Sequence, residues 1–312
     1  MTTVLFGMAG MIAAGVLWRA ILGAEQAEAI RGHLARAVYE VFLPALVLHV
    51  MWRTPPSLNL LRVPAVAASC VLLCLLAAWI VYRDGGRFGG RKTAGAMLLA
   101  SAFGNFTYLG LPVLTQTFGD WAQSVAIPFD LFASTPLLFT AGIMVAHRYG
   151  EAGQATGQGR PIARAAQDMA RVPAIWAAAA GLALALAGLP MPAWLDAMLG
   201  MLGQAVSPLM LLAIGMALRW QADWTRRIPA LLPMLAIQLG LMPLVAWGAA
   251  LLAGLPEKLL PPVVVEGAMP TMVLGLVICD RFRLNASLYA EAVTLSTALS
   301  LLTLPLWLGL TG

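Results

Sequence analysis

Apolar runs long enough to cross a lipid bilayer recur along the whole chain, and they limit its architecture more than any other feature. A spanning helix needs about 20 mostly apolar residues. Ten such segments can be marked, at 3–22, 35–53, 62–82, 93–117, 121–147, 172–189, 194–219, 228–254, 258–279 and 286–310. Runs of this length lack the ten-residue alternation of an outer-membrane barrel, so the expected class is all-α integral membrane. Composition agrees: 61% of the residues are hydrophobic and 11% are charged, against about 25% charged in soluble domains. One water-soluble core cannot hide that much apolar surface. The first segment has no basic residues before it, unlike a cleaved signal peptide, and reads as a retained helix.

The formal charge of +5 points to topology rather than to nucleic acid. Sixteen of the nineteen Lys and Arg residues fall in the loops after segments 1, 3, 5, 7 and 9, and only Arg53, Arg62 and Lys258 fall elsewhere. The positive-inside rule then puts both termini on the outer side, as for a bacterial inner-membrane protein with periplasmic ends. The longest basic loop, 148–171, is rich in Gly, Gln and Ala and reads as a cytosolic linker. It separates a first five-helix group, 1–147, from a second, 172–312. Five is odd, so the second group is inverted. RVPAVA (62–67) pairs with RIPALL (227–232), and FLPALVL (42–48) with VSPLMLL (206–212). Inverted repeats of this kind are a plan of secondary carriers.

Segments 4 and 9 each carry Gly and Pro near their middle, with a polar residue just before: Asn105 in AMLLASAFGNFTYLGLPVLTQTFG and Glu266 in VVVEGAMPTMVLGLVICD. Proline removes a backbone donor and crowds the preceding turn. In lipid, a break survives only where protein or a water-filled cavity surrounds it. Second half-helices are expected to start near Pro112 and Pro270, with their partly positive N-termini facing each other near the midplane. That geometry suits a carboxylate ligand. The candidate ligand residues are Asn105, Gly110, Leu111, Pro112, Met269, Pro270 and Thr271. The register between the halves is open, because LGL at 109–111 also aligns with LGL at 274–276.

GNFTYLGLPVL, SPLMLLAIGMAL (207–218), EGAMPTMVLGLVICDRF, LSTALSLLTLPLW and VFLPALVLHV together resemble the auxin efflux carrier family, in its bacterial malonate/malate-permease-like branch. The resemblance covers nearly the whole chain. It implies ten helices with crossing broken helices 4 and 9, a fold shared with sodium/proton antiporters and bile-acid symporters. Helices 1, 2, 6 and 7 would form a scaffold, and helices 3–5 and 8–10 a transport unit working by elevator-type alternating access. It implies small organic anions as substrates, such as malonate or malate, and a homodimer through helices 2 and 7. Small residues at Ala213, Gly215 and Ala217 would permit that packing. The long central loop of the plant members is missing.

Charge within a membrane is rare and usually functional. Asp130 lies about nine residues into segment 5, roughly 14 Å deep at 1.5 Å per residue, and Glu266 lies at a similar depth. Both are candidates for a coupling proton or sodium ion, with Ser134 and Thr135 as added oxygen ligands. Glu40 and Glu291 lie nearer the cytosolic ends and are expected to pair with loop arginines; His49 is read as interfacial. Cys70, Cys74 and Cys279 make no metal or redox pattern and read as inert thiols, so no cofactor or metal is expected beyond possible sodium. GGRFGGRKT (85–93) lacks the end of a phosphate loop, and no HExxH or GxSxG occurs, which argues against an enzyme. The expected activity is secondary transport of mono- or dicarboxylates. The alternatives are uncoupled, potential-driven export of auxin-like carboxylates and, in other classes, a channel, a sensor derived from a transporter fold or an intramembrane enzyme.

Overall fold

The computed structural model describes residues 2–83, 88–151, 167, 169–218 and 224–311. Most of the 148–171 linker, with Arg160 and Arg164, lies outside the described residues, as do the loop residues Arg87 and Arg219. The chain is helical: α1 Thr2–Leu22, α2 Ala24–Arg53, α3 Asn59–Tyr82, α4 Arg91–Ala102, α5 over 106–118, α6 Asp120–Tyr149, α7 Pro173–Leu186, α8 Ala193–Ala217, α9 Arg227–Leu252, α10 Leu260–Gly267, α11 Leu274–Arg281 and α12 Ala286–Thr311. Among the described residues there is no strand, only an isolated antiparallel bridge between Gly104 and Thr271. Six helices (α2, α3, α6, α8, α9 and α12) are long and apolar enough to cross a membrane, and α1 and α7 are shorter apolar helices. Large side chains such as Leu73, Leu76, Ile80, Trp176 and Leu302 stand exposed on the outer faces, which suits lipid as solvent and not water.

α2 is longer than the sequence suggests. It begins at Ala24 rather than near residue 35 and runs 30 residues, roughly 45 Å, which matches a bilayer with its headgroup layers. Its first turns are polar and are supported by the pairs Glu28–Arg31 and Arg36–Glu40, three and four residues apart. Glu40 thus has the arginine partner expected of it, and Glu291 is held by Arg227 at 2.7 Å.

Prolines explain most of the local irregularities. Among the described residues five wide turns, in which the hydrogen bond spans five residues instead of four, cover Val38–Phe42, Phe106–Gly110, Asp130–Ser134, Leu138–Gly142 and Ile237–Leu241. All but Leu138–Gly142 end two residues before a proline: Pro44, Pro112, Pro136 and Pro243. The wider turn makes room for the ring and moves the ladder past the missing donor. Pro112 is therefore absorbed within α5 and does not begin it.

α1, α2, α7 and α8 pack on one another, while α3 packs on α4 and α9, and α9 on α10. α8 also meets the wide turn at 106–110. Small residues let these helices touch: a Cβ on Gly215 would lie 2.0 Å from the Ile12 carbonyl oxygen and 2.9 Å from the Gly15 Cα. Gly215 and Ala213 are buried by the chain itself. The stripe offered above as support for a dimer is thus used within the chain, in the α1–α8 crossing.

Candidate functional site

The two interrupted helices meet at their interruptions. The first break covers Phe103–Asn105, between α4 and α5; the second covers Ala268–Val273, between α10 and α11. The Asn105 N–H donates to the Pro270 carbonyl at 2.7 Å, and the Met272 N–H donates to the Phe103 carbonyl at 3.0 Å. The two bonds exchange if 103 is swapped with 270 and 105 with 272. This pairing lies close to the LGL register and far from the one that aligns the prolines. The expected starts at Pro112 and Pro270 are corrected accordingly. α5 starts six residues before Pro112, because the wide turn accommodates that ring, and α11 starts four residues after Pro270, because Pro270 sits inside the bridge.

Three further backbone groups of the second break are met by side chains. Gln238 Nε2 donates to the Met269 carbonyl at 2.8 Å, and Tyr289 Oη to the Met272 carbonyl at 2.9 Å. The Thr271 N–H donates to Ser296 Oγ, and Thr271 Oγ1 donates to the Ala100 carbonyl at 2.8 Å. Gly275 gives Tyr289 its place, since a Cβ there would lie 1.9 Å from the Tyr289 oxygen. All of these groups are buried, so each unmet partner would cost about 1–3 kcal/mol.

A cavity of about 80 Å³ opens beside this crossing. Asn105, Thr107, Tyr108, Asp130, Thr135 and Tyr39 supply its polar groups, and Phe106, Phe139, Leu43 and Met272 are among its apolar walls. The first residues of α5 and the start of α11, Val273 and Leu274, also line it. The first N–H groups of a helix have no carbonyl in helical register before them, so two positive helix ends face this space. Asn105 is 4% exposed, and its Nδ2 has no hydrogen-bond partner. Its carbonyl accepts from the Leu109 and Gly110 N–H groups, which fixes the residue while leaving its amide uncommitted. Asp130 accepts from Thr107 Oγ1 and, at 3.1 Å, from Thr135 Oγ1.

The expected residues divide into three groups. Asn105, Asp130 and Thr135 line the cavity. Gly110 lies against Glu266: a Cβ on Gly110 would stand 2.5 Å from Oε1 and 2.6 Å from Oε2. Glu266 is fully buried, neither of its oxygens has a hydrogen-bond partner, and it is not among the residues lining this cavity. Leu111, Pro112, Ser134, Met269, Pro270 and Thr271 are buried around these groups and do not line the cavity. Sequence reasoning missed Thr107, Tyr39, Tyr108 and Gln238. Gln238 carried a usable signal, as a lone amide in an apolar helix. The aromatic residues did not, because Tyr39 reaches the site only through the packing of α2.

A cleft of about 980 Å³ lies between α1, α2, α8 and the α5–α6 corner, lined by His49, Arg53, Asp120 and Gln204 among others. His49 Nε2 lies 2.8 Å from Asp196 Oδ1, and Arg53 pairs with the same carboxylate.

Residues 164–308 match the family described as "Membrane transport protein". An uncharacterized transporter of Methanothermobacter thermautotrophicus is 29% identical over 293 residues, covering 92% of this chain and 90% of the relative. A second uncharacterized transporter, from Methanocaldococcus jannaschii, is 27% identical over 262 residues, covering 80% and 79%. The likeness is to membrane transporters, not to enzymes.

Proposed function

We propose that the chain is a secondary carrier of small organic anions, mono- or dicarboxylates, bound in the cavity at the crossing. The observation that carries this reading is the uncommitted Asn105 amide, buried between two helix N-termini in a space that opens beside a paired backbone break. A fixed donor and two half-helix dipoles recognise a carboxylate and have no evident structural purpose. The packing of α1, α2, α7 and α8 as one group supports a scaffold, and the other helices form the unit that carries the site. Two inverted five-helix repeats, 1–147 and 172–312, sliding as an elevator would present the cavity to either side. The outer cleft lies along the same faces of α2 and α5 as the inner cavity, with Tyr39 and Leu43 below His49 and Arg53, and Thr107 and Tyr108 below Thr115 and Gln116.

Coupling falls to the two acids. Glu266 is a fully buried carboxyl without a hydrogen-bond partner, and such a group must hold a proton or a cation. Asp130 is the alternative. The carrier would sit in a bacterial-type inner membrane with both termini outside, as a homodimer through scaffold faces other than the 213–217 stripe. Purified protein in proteoliposomes should accumulate a radiolabelled carboxylate saturably under an imposed proton or sodium gradient. Non-saturable, gradient-independent flux would instead identify a channel. Accumulation driven by membrane potential alone would identify the uncoupled mode.

A further inference from the structure

We propose that the cavity takes a small monocarboxylate bearing its own hydrogen-bond donor beside the carboxylate, an α-hydroxy or α-amino acid of about three carbons, with Asp130 receiving that donor. The inference rests on the carrier reading above and narrows its substrate class.

Charge argues against a dicarboxylate. Among the described residues that line the cavity there is no Lys, Arg or His, and there is one acid, Asp130. Arg31, eight residues before Tyr39 on α2, is paired with Glu28. The positive potential therefore comes from two helix ends, each equivalent to about half a charge. Together they balance about one negative charge, so beside an ionised Asp130 one ligand carboxylate is the most the site can hold, and an ammonium on the same ligand would offset it. A second carboxylate would stand unbalanced beside Asp130, at a depth where like charges repel strongly.

Hydrogen bonding gives the complementary half. Asn105 Nδ2 and the α5 end offer donors to a carboxylate. Asp130, which lines the same cavity, offers acceptors: Thr107 and Thr135 occupy one position on each of its oxygens, and an ionised carboxylate has about four. A ligand that places its carboxylate on Asn105 and a hydroxyl or ammonium on Asp130 satisfies both sides. An analogue without the donor leaves a buried acceptor unmet, which is how binding sites discriminate most sharply. Volume agrees. At about 10–15 Å³ per water-sized unit, 80 Å³ holds about five to eight such units. A three-carbon acid fits.

The test measures binding of L-lactate, L-alanine, propionate and malonate to the purified full chain in detergent, by calorimetry and thermal shift. Lactate or alanine should bind at least about tenfold tighter than propionate and malonate, and the preferred member of the pair identifies the donor as hydroxyl or ammonium. Asp130→Asn should bring propionate level with the preferred acid and admit malonate. Thr135→Val, which removes one group orienting Asp130, should narrow the same ratio if Asp130→Asn fails to fold. Malonate binding tighter than both donor acids, or propionate equal to them in the parent, would overturn the inference while leaving an anion carrier. Absence of binding by all four together with absence of carboxylate uptake would remove the carrier reading as well.

Discussion

Substituting Gly110 by Ala tests whether the Glu266 carboxyl is held against the α5 backbone. The added Cβ would lie 2.5 Å from Oε1, 2.6 Å from Oε2 and 2.8 Å from the carboxyl carbon, all well inside contact distance. Glu266 is fully buried, so its carboxyl cannot swing into solvent: it must turn within a packed core, or α5 or α10 must move. Overpacking of this kind costs about 1–3 kcal/mol. At about 2–4 °C per kcal/mol, thermal unfolding in detergent should fall by several degrees, and uptake should fall with it because α5 carries Asn105. Glu266→Ala removes the obstructing atoms. The double variant Gly110→Ala/Glu266→Ala should recover most of the lost stability, giving a coupling of about 1–3 kcal/mol in a double-mutant cycle. If Glu266 carries the proposed coupling, the double variant should not recover gradient-driven accumulation. A Gly110→Ala protein as stable and active as the parent, or additive effects in the cycle, would refute the reasoning.

Asn105→Ala should weaken carboxylate binding by about 1–2 kcal/mol, roughly five- to thirty-fold, without loss of stability, as read by calorimetry. Gln238→Leu leaves the Met269 carbonyl unmet in the core and should lower stability by about 1–3 kcal/mol, seen as a lower unfolding temperature. Glu266→Gln should abolish proton- or sodium-driven accumulation while preserving downhill exchange; if Asp130→Asn does this instead, the coupling role belongs to α6. Lys92 and Arg283 hold the exposed Glu151 carboxyl below the usual glutamate range. Its stabilisation is therefore present above the unfolded value of about 4.3 and is lost as pH falls through the lower folded value. Glu151→Gln should flatten a small, salt-sensitive fall in unfolding temperature over that acid range.

The membrane class and the two interrupted helices were readable because their causes are local: long apolar runs, and Gly and Pro in the middle of two of them. The positions of the breaks were not readable in the same way. Proline was expected to open each break, yet Pro112 continues α5 after a wide turn, as Pro44, Pro136 and Pro243 do in their helices. The first break instead falls at Phe103–Asn105, where Gly104 lies close enough to Gln238 that a Cβ would stand 3.1 Å from Nε2. Whether a proline breaks a helix or widens a turn depends on what can replace the lost hydrogen bond, and that is decided by neighbouring helices. The extent of α2 was missed for a related reason: its first turns are stabilised by charge pairs, which a hydropathy reading scores as loop.

Around the crossing, single intramembrane polar residues carried the signal, so chemistry alone singled out Asn105, Asp130 and Glu266 as candidates, while their different surroundings came from packing. Asp130 and Glu266 looked equivalent by depth. The fold gives one of them a hydroxyl-lined position on the cavity and the other a position without hydrogen-bond partners against Gly110. The backbone follows a similar logic. The second break is met by Gln238, Tyr289, Ser296 and Thr271 through bonds to neighbouring helices, and the Asn105 carbonyl is taken by α5 itself. Among the groups these bonds leave uncommitted are the Asn105 amide and the first N–H groups of α5, beside the cavity; Gln238 Oε1, both Glu266 oxygens, Ser134 Oγ, Thr297 Oγ1 and Thr303 Oγ1 also lack partners and do not line it. A structural kink would be expected to satisfy its donors internally. An unpartnered amide donor and a helix N-terminus beside 80 Å³ of space make an arrangement that an anion would complete.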